Sequence, residues 1–146
     1  MQIKDVMTPG AEVVSSDATA IEAAEKMRRF DVGSLPVCSG DRLEGFLTDR
    51  DITVRLVAAG LEASETKVGE IMTPDATYCF DDQTLEEAAA VMEAHQIRRL
   101  PIMSRDKHLI GMLSLGDLAV RADDGEDWDV ADEALKDISV PSGPRR

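Results

Sequence analysis

Aromatic side chains are nearly missing from this chain: Phe, Tyr and Trp together make up 3% of it. A core must therefore be built from Val, Ile, Leu, Met and Ala. Long apolar runs are missing too. No stretch approaches the roughly 18 residues that cross a bilayer. The opening Met1-Gln2-Ile3-Lys4-Asp5 has no signal-peptide core, and Gln at position 2 excludes N-myristoylation. The expectation is a cytoplasmic protein without membrane insertion. Positive charge is in deficit, with 16 Lys and Arg against 29 Asp and Glu, a net charge of −13. No Lys/Arg cluster is interleaved with aromatics, so nucleic acid, which is bound largely through its phosphates, is excluded as a partner.

Reactive side chains are equally sparse. Cys38 and Cys79 lie far apart inside apolar β-patterned runs and read as buried free thiols, not as a disulfide. Together with His95 and His108 they match no zinc spacing, so no metal site is expected. There is no Gly-x-Ser-x-Gly elbow, no Walker P-loop, no Gly-x-Gly-x-x-Gly fingerprint and no activated-cysteine context. Nothing nominates a catalytic residue, and the chain is read as non-enzymatic.

What the chain does contain is itself, twice. Val6-Met7-Thr8-Pro9 returns as Ile71-Met72-Thr73-Pro74, an offset of 65 residues. At that offset Asp17-Ala18-Thr19 meets Asp82-Gln83-Thr84, Ala23-Ala24 meets Ala88-Ala89, and Met27 meets Met92. Val32-Gly33-Ser34-Leu35-Pro36-Val37 likewise meets Ile97-Arg98-Arg99-Leu100-Pro101-Ile102. One inserted residue near His108 raises the offset to 66. Gly45, Thr48, Asp51 and Arg55 then meet Gly111, Ser114, Asp117 and Arg121.

Each copy predicts the same elements. A short β run (residues 12–15, then 77–80) is followed by a helix opened by Thr19-x-x-Glu22 or Thr84-x-x-Glu87, both capping boxes. Ile21, Ala24, Met27 and Phe30, and in the second copy Leu85, Ala88, Ala89 and Met92, mark the apolar faces. A hairpin follows, through Leu35-Pro36-Val37-Cys38 and residues 43–47, then through Leu100-Pro101-Ile102-Met103 and residues 109–113. A second helix starts at Thr48 or Ser114, the first ending near Ala59 ahead of Gly60. The plan is β-α-β-β-α twice: repeat one over residues 1–60, a linker over 61–67 and repeat two over 68–122. A short acidic helix and tail cover 123–146. Either repeat alone, at about 60 residues, would leave much apolar surface wet.

Taken together, Met-Thr-Pro, the Thr-x-x-Glu-Ala-Ala helix, the Leu-Pro strand and the Gly-x-x-(Thr/Ser)-x-x-Asp junction resemble the cystathionine-β-synthase (CBS) domain family, over roughly residues 3–121. The resemblance implies an α/β (α+β) fold in which two CBS repeats pack about a pseudo-two-fold axis as a Bateman module. It implies a regulatory ligand, most often AMP, ADP or ATP and sometimes S-adenosylmethionine or an NAD-type molecule, and association into a homodimer. Many members regulate a fused catalytic or transport domain. Here no room is left for one, so the regulated enzyme or transporter is expected to be a separate protein.

The junction itself has a physical case. Thr48 or Ser114 can donate a hydroxyl hydrogen bond to a phosphate at a helix start. Asp51 or Asp117, acceptor-only when ionised, suits the two hydroxyls of a ribose. Gly45 and Gly111 would allow close backbone approach. In the family, the residues before the Leu-Pro strand line the cleft, which places Val32, Gly33 and Ile97 there, with Val32 and Ile97 flanking the base. Arg50, Arg98 and Arg99 are the expected phosphate cations. The copies differ here, Gly33-Ser34 against Arg98-Arg99 and Arg50 against Gly116, so unequal sites are expected. A ligand-free reading stands beside this one: Thr48-x-x-Asp51 and Ser114-x-x-Asp117 are also plain helix caps, as in a structural dimerisation module.

Overall fold

The structure, a computed structural model, describes residues 1–122. The acidic helix expected over 123–146 lies outside the described residues. In chain order the elements are a 3₁₀ turn at Ile3–Asp5, β1 (Thr8–Pro9), α1 (Ala20–Phe30), β2 (Ser34–Ser39) and β3 (Arg42–Thr48). Next come α2 (Asp49–Asp51), running on as the π-helical Ile52–Val57, then α3 (Val68–Ile71), β4 (Thr73–Pro74) and β5 (Cys79–Phe80). The chain continues through α4 (Leu85–His95), β6 (Arg99–Met103), β7 (Leu109–Ser114) and α5 (Leu115–Ala122). This is the expected mixed α+β pattern. In the first copy the opening β run is reduced to one parallel bridge, Val14 to Val37.

The chain forms two compact units, and their membership departs from sequence order. One unit is Ala11–Ala76; the other joins Met1–Gly10 to the described residues from Thr77 onward. In the first-repeat unit the sheet runs β2-β3-β4, with Gly45 opposite Pro74 and Phe46 opposite Thr73. In the second-repeat unit it runs β1-β7-β6-β5, with Thr8 opposite Met112 and Pro9 opposite Gly111. Each Met-Thr-Pro strand therefore completes the sheet of the other repeat. Proline, which cannot donate to a ladder, sits at the sheet edge where this costs nothing. The chain leaves each unit just past that strand, at the left-handed residues Gly10 (φ 74) and Asp75 (φ 56).

Each unit has its own core. In the first-repeat unit Val14, Ala20, Ala23, Met27, Leu35, Val37, Leu47, Leu56, Val68 and Ile71 cluster together. In the second-repeat unit Ile3, Leu85, Ala88, Ala89, Met92, Leu100, Ile102, Leu113 and Leu118 do so. The segment ahead of each Met-Thr-Pro is pinned by matching bonds. Ile3 N–H donates to the Gln83 carbonyl at 2.8 Å, and Val68 N–H to the Ala18 carbonyl at 2.8 Å. Residues 61–67 do more than link, because the Ala63 and Thr66 carbonyls accept from Ile21 and Ala20 N–H (3.2 and 2.8 Å). They thereby satisfy backbone donors at the α1 start that have no partner within the helix.

Two expectations need correction. The buried face of α1 is Ala20, Ala23 and Met27, whereas Ile21 and Phe30 are 45% and 40% exposed and Ala24 is exposed. The large side chains marked the wrong stripe because the buried one is lined by two alanines. The second-copy face is as expected. The α1 capping box is complete, with Glu22 N–H to Thr19 Oγ1 and Thr19 N–H to Glu22 Oε2, both 3.2 Å. At α4 only half of it forms. Thr84 Oγ1 accepts from Glu87 N–H at 3.1 Å, but the Glu87 carboxylate is held by Gln83 Nε2 at 2.7 Å instead of reaching back.

Both cysteines are buried and free. Burial pushes the Cys38 thiol up to about 11, with Glu44 and Asp41 adding to it, and pushes Cys79 up to about 11, with Glu87 adding. A thiol reagent at pH 8 should leave the native protein unlabelled and modify both residues once denaturant is added; fast labelling of folded protein would contradict this burial. The folded values lie above the ordinary 9.0. The stability held by the neutral thiols is thus complete below pH 9 and lost as pH climbs towards 11.

Candidate ligand-binding junctions

At the end of β3 the chain turns directly from strand into helix, and the same turn recurs at the end of β7. Thr48 and Ser114 have side chains that can substitute for a missing backbone partner, and both do. Asp51 N–H donates to Thr48 Oγ1 at 3.1 Å, and Thr48 N–H donates to Asp51 Oδ2 at 3.0 Å. In the second copy Asp117 N–H donates to Ser114 Oγ at 3.1 Å, and Ser114 N–H to Asp117 Oδ2 at 2.8 Å. The capping reading of these residues is therefore realised in both copies. It leaves functional groups over. In each box the hydroxyl serves as acceptor, so its hydrogen is still available to donate, and Oδ1 of each aspartate lies outside the box. Asp51 is only 9% exposed, and its Oδ1 faces Arg55 Nε at 3.8 Å.

A second tie brings the strand before the hairpin to the same place. Asp49 N–H donates to the Gly33 carbonyl at 2.8 Å, and Leu115 N–H donates to the Arg98 carbonyl at 3.1 Å. Cross-strand pairing puts Ser34 opposite Thr48 and Arg99 opposite Ser114, with directly opposed side chains on one face of the sheet. Gly33, Thr48 and Asp51 thus share one junction, and Arg98, Arg99, Ser114 and Asp117 share the other. Val32 and Ile97, just ahead of these, are half-buried against their respective cores. Arg50 is exposed on the first turn of α2, its counterpart being Gly116.

The two junctions differ in charge. In the first-repeat unit a Cβ on Gly33 would lie 3.0 Å from Asp49 Oδ2. The carboxylate thus lies beside the point where a side chain at residue 33 would begin, and the matching residue of the other unit, Arg98, carries one. In the second-repeat unit Arg98 is exposed and Arg99 half-buried, and the buried Arg99 Nε has no hydrogen-bond partner among the described residues.

Sequence reasoning missed Asp49 and Arg55. Asp49 fell at a position that varies between copies, Leu115 being its match, and so drew no notice. Arg55 was signalled by its match to Arg121, and its Nη1 donates to the Met72 carbonyl at 3.0 Å, joining the junction to the incoming Met-Thr-Pro segment. The glycines have a different function from the one expected. A Cβ on Gly45 would stand 2.6 Å from the Thr73 carbonyl oxygen and 2.9 Å from Met72 Sδ; on Gly111 it would stand 2.6 Å from the Thr8 oxygen and 3.0 Å from Met7 Sδ. The backbone that approaches closely is the protein's own.

Comparison with known proteins agrees with this architecture. The CBS domain pattern matches residues 3–58 and 68–123. The chain belongs to the CBS domain family. It is 41% identical over 137 residues to the CBS domain-containing protein YhcV of Bacillus subtilis, covering 94% of each. It is 38% identical over 117 residues to Hypoxic response protein 1 of Mycobacterium tuberculosis, covering 80% of this chain and 81% of that one. A crystal structure of Hypoxic Response Protein I with two coordinated zinc ions superposes with a TM-score of 0.76 at 37% identity, over 82% of this chain and 98% of that one. CBSX2, a CBS-pair protein from Arabidopsis thaliana, solved in complex with AMP, gives 0.71 at 30% identity over 84% and 95%. CBS pairs of this kind are regulatory ligand-binding modules. Among the described residues of this chain, no group of three or more His, Cys, Asp or Glu could hold a metal ion. No described helix is long and apolar enough to cross a membrane.

Proposed function

We propose that this CBS pair is a non-catalytic cytoplasmic sensor, acting as a homodimer, that binds an adenine nucleotide (AMP, ADP or ATP) and reports it to a separate enzyme or transporter. Thr48 with Asp51, and Ser114 with Asp117, hold phosphate and ribose; Val32 and Ile97 flank the base, with Gly33 lining the cleft; Arg50, Arg98 and Arg99 meet phosphate. The reading rests on one observation above others: the hydroxyl–aspartate junction is built twice with the same bonds, in a family in which a relative 30% identical carries AMP.

The test is a thermal-shift and calorimetric screen with AMP, ADP, ATP, NADH and S-adenosylmethionine on protein stripped of co-purified ligand. A ligand that binds only the native state adds about 2.7 kcal/mol at a hundredfold excess over its Kd. At least one adenine nucleotide should raise Tm, and no shift with any of the five would end this reading. A second reading, a ligand-free dimerisation module, is favoured by the capping boxes, which are satisfied without any ligand. It predicts a dimer whose Tm none of the five compounds moves.

A further inference from the structure

We propose that Arg55 is a positioning residue that couples a nucleotide at the first junction to the seating of β4, the strand just past which the chain leaves this unit. This rests on the adenine-nucleotide reading above and adds the route by which occupancy of that site reaches the backbone.

Three observations carry it. First, one guanidinium spans two elements. Arg55 Nε faces Asp51 Oδ1 at 3.8 Å, and Arg55 Nη1 donates to the Met72 carbonyl at 3.0 Å. The charged groups of this junction are Asp49, Arg50, Asp51 and Arg55. Among the described residues, Arg55 alone of these four is hydrogen-bonded to the Met-Thr-Pro segment. A planar fork of donors can serve both partners at once, whereas a lysine ammonium is a single point charge. Second, β4 is lightly held. It is two residues long, lies at the edge of its sheet and pairs through Thr73 and Pro74, the proline having no N–H to give. Such elements open at low local cost, so a bond to Met72, the residue just ahead, bears directly on whether β4 stays in place. Third, the winding changes where Arg55 sits. Ile52–Val57 is π-helical, and Ala58 N–H reaches back five residues to the Thr53 carbonyl at 2.9 Å. The matching residues 118–122 lie in the α-helix α5. Widened turns of this kind are rare and frequently mark functional sites.

The direction of the coupling follows. Arg55 faces the carboxylate oxygen left free to accept a ribose hydroxyl, and its hold on Met72 exists when β4 is seated. A nucleotide therefore binds the seated form better, and by linkage its occupancy seats the strand more firmly.

Hydrogen exchange on the full chain, with and without saturating AMP or ATP, tests this. In the wild type the bound nucleotide should slow amide exchange over residues 72–76 by roughly fivefold or more, the lower end of common coupling factors. Arg55→Met should still bind, with Kd raised by up to about tenfold, and its slowing over 72–76 should shrink to within about twofold. Slowing over the hairpin, residues 34–48, should persist. Arg55→Lys, which keeps a charge beside Asp51 without the fork, should behave the same way with Kd nearly unchanged. Full slowing over 72–76 in either variant overturns the proposal, as does a nucleotide that binds the wild type without affecting those residues. Arg55→Met that speeds exchange there in the free protein yet leaves the nucleotide's slowing intact reduces Arg55 to a structural tie, and overturns it too. If neither AMP nor ATP binds, the functional reading itself fails, and this inference with it.

Discussion

Replacing Gly45 or Gly111 with valine lowers stability by about 1–3 kcal/mol, and more where the sheet cannot relax. The reason is local and severe. Even a single methyl group at Gly45 meets the Thr73 carbonyl oxygen at 2.6 Å, and at Gly111 the Thr8 oxygen at 2.6 Å. These are backbone atoms of a paired strand, so relief requires moving β4 or β1 away from its sheet, and valine adds two further methyls. Gly116 supplies the contrast. It lies in the first turn of α5, where a Cβ would meet only Ser114 Oγ at 3.4 Å. Gly116→Ala should be neutral or stabilising by up to about 1 kcal/mol, through reduced freedom of the unfolded chain. Urea unfolding of the three variants measures this. Wild-type stability in Gly45→Val would mean that the strand does not pack as described.

The second large effect is on ligand, at Asp51 and Asp117. Asp51→Ala removes the acceptor for Thr48 N–H and leaves Arg55 without the carboxylate it faces at 3.8 Å. A loss of about 1–2 kcal/mol is expected, the usual range for a lost helix cap. That result alone cannot separate a cap from a ribose contact, because alanine abolishes both. Asp51→Asn and Asp117→Asn can. The amide oxygen still accepts the cap bond, so Tm should stay within a few degrees. An amide has one acceptor oxygen where the carboxylate has two, so a ribose held by both hydroxyls should bind roughly tenfold or more weakly. Unchanged nucleotide affinity in both asparagine variants would reduce these residues to caps.

Local patterns in the sequence were legible in part, and partners distant in the sequence were not. Thr19-x-x-Glu22 and the hairpins at the Leu-Pro strands could be read because their partners lie a few residues away. Leu85, Ala88, Ala89 and Met92 were readable because leucine and methionine mark that stripe. In α1 the same stripe begins with Ala20 and Ala23, so Ile21 and Phe30 outweighed it, although the repeat offset sets Ala20 against Leu85. That Thr8 pairs with Met112, and Thr73 with Phe46, could not be read. A two-residue edge strand carries no period, and nothing local says which sheet it joins. The same gap hid which backbone Gly45 lets approach: that of β4. At the junctions, Thr48, Asp51, Ser114 and Asp117 were visible because they repeat, while Asp49 was overlooked because it does not.

The exchanged strands also dictate the order in which the protein can be finished. During synthesis Thr8 and Pro9 emerge long before the strand they join, which ends at Ser114, nearly at the end of the described chain. The first-repeat unit waits only for Pro74. Its sheet can therefore close while the opening residues still have nothing to pair with, and the last ladder to form joins the two most distant stretches of the described chain. Such pairings pay the largest loop-closure cost and slow folding. A lesion at β1 would be felt late, in the unit made second.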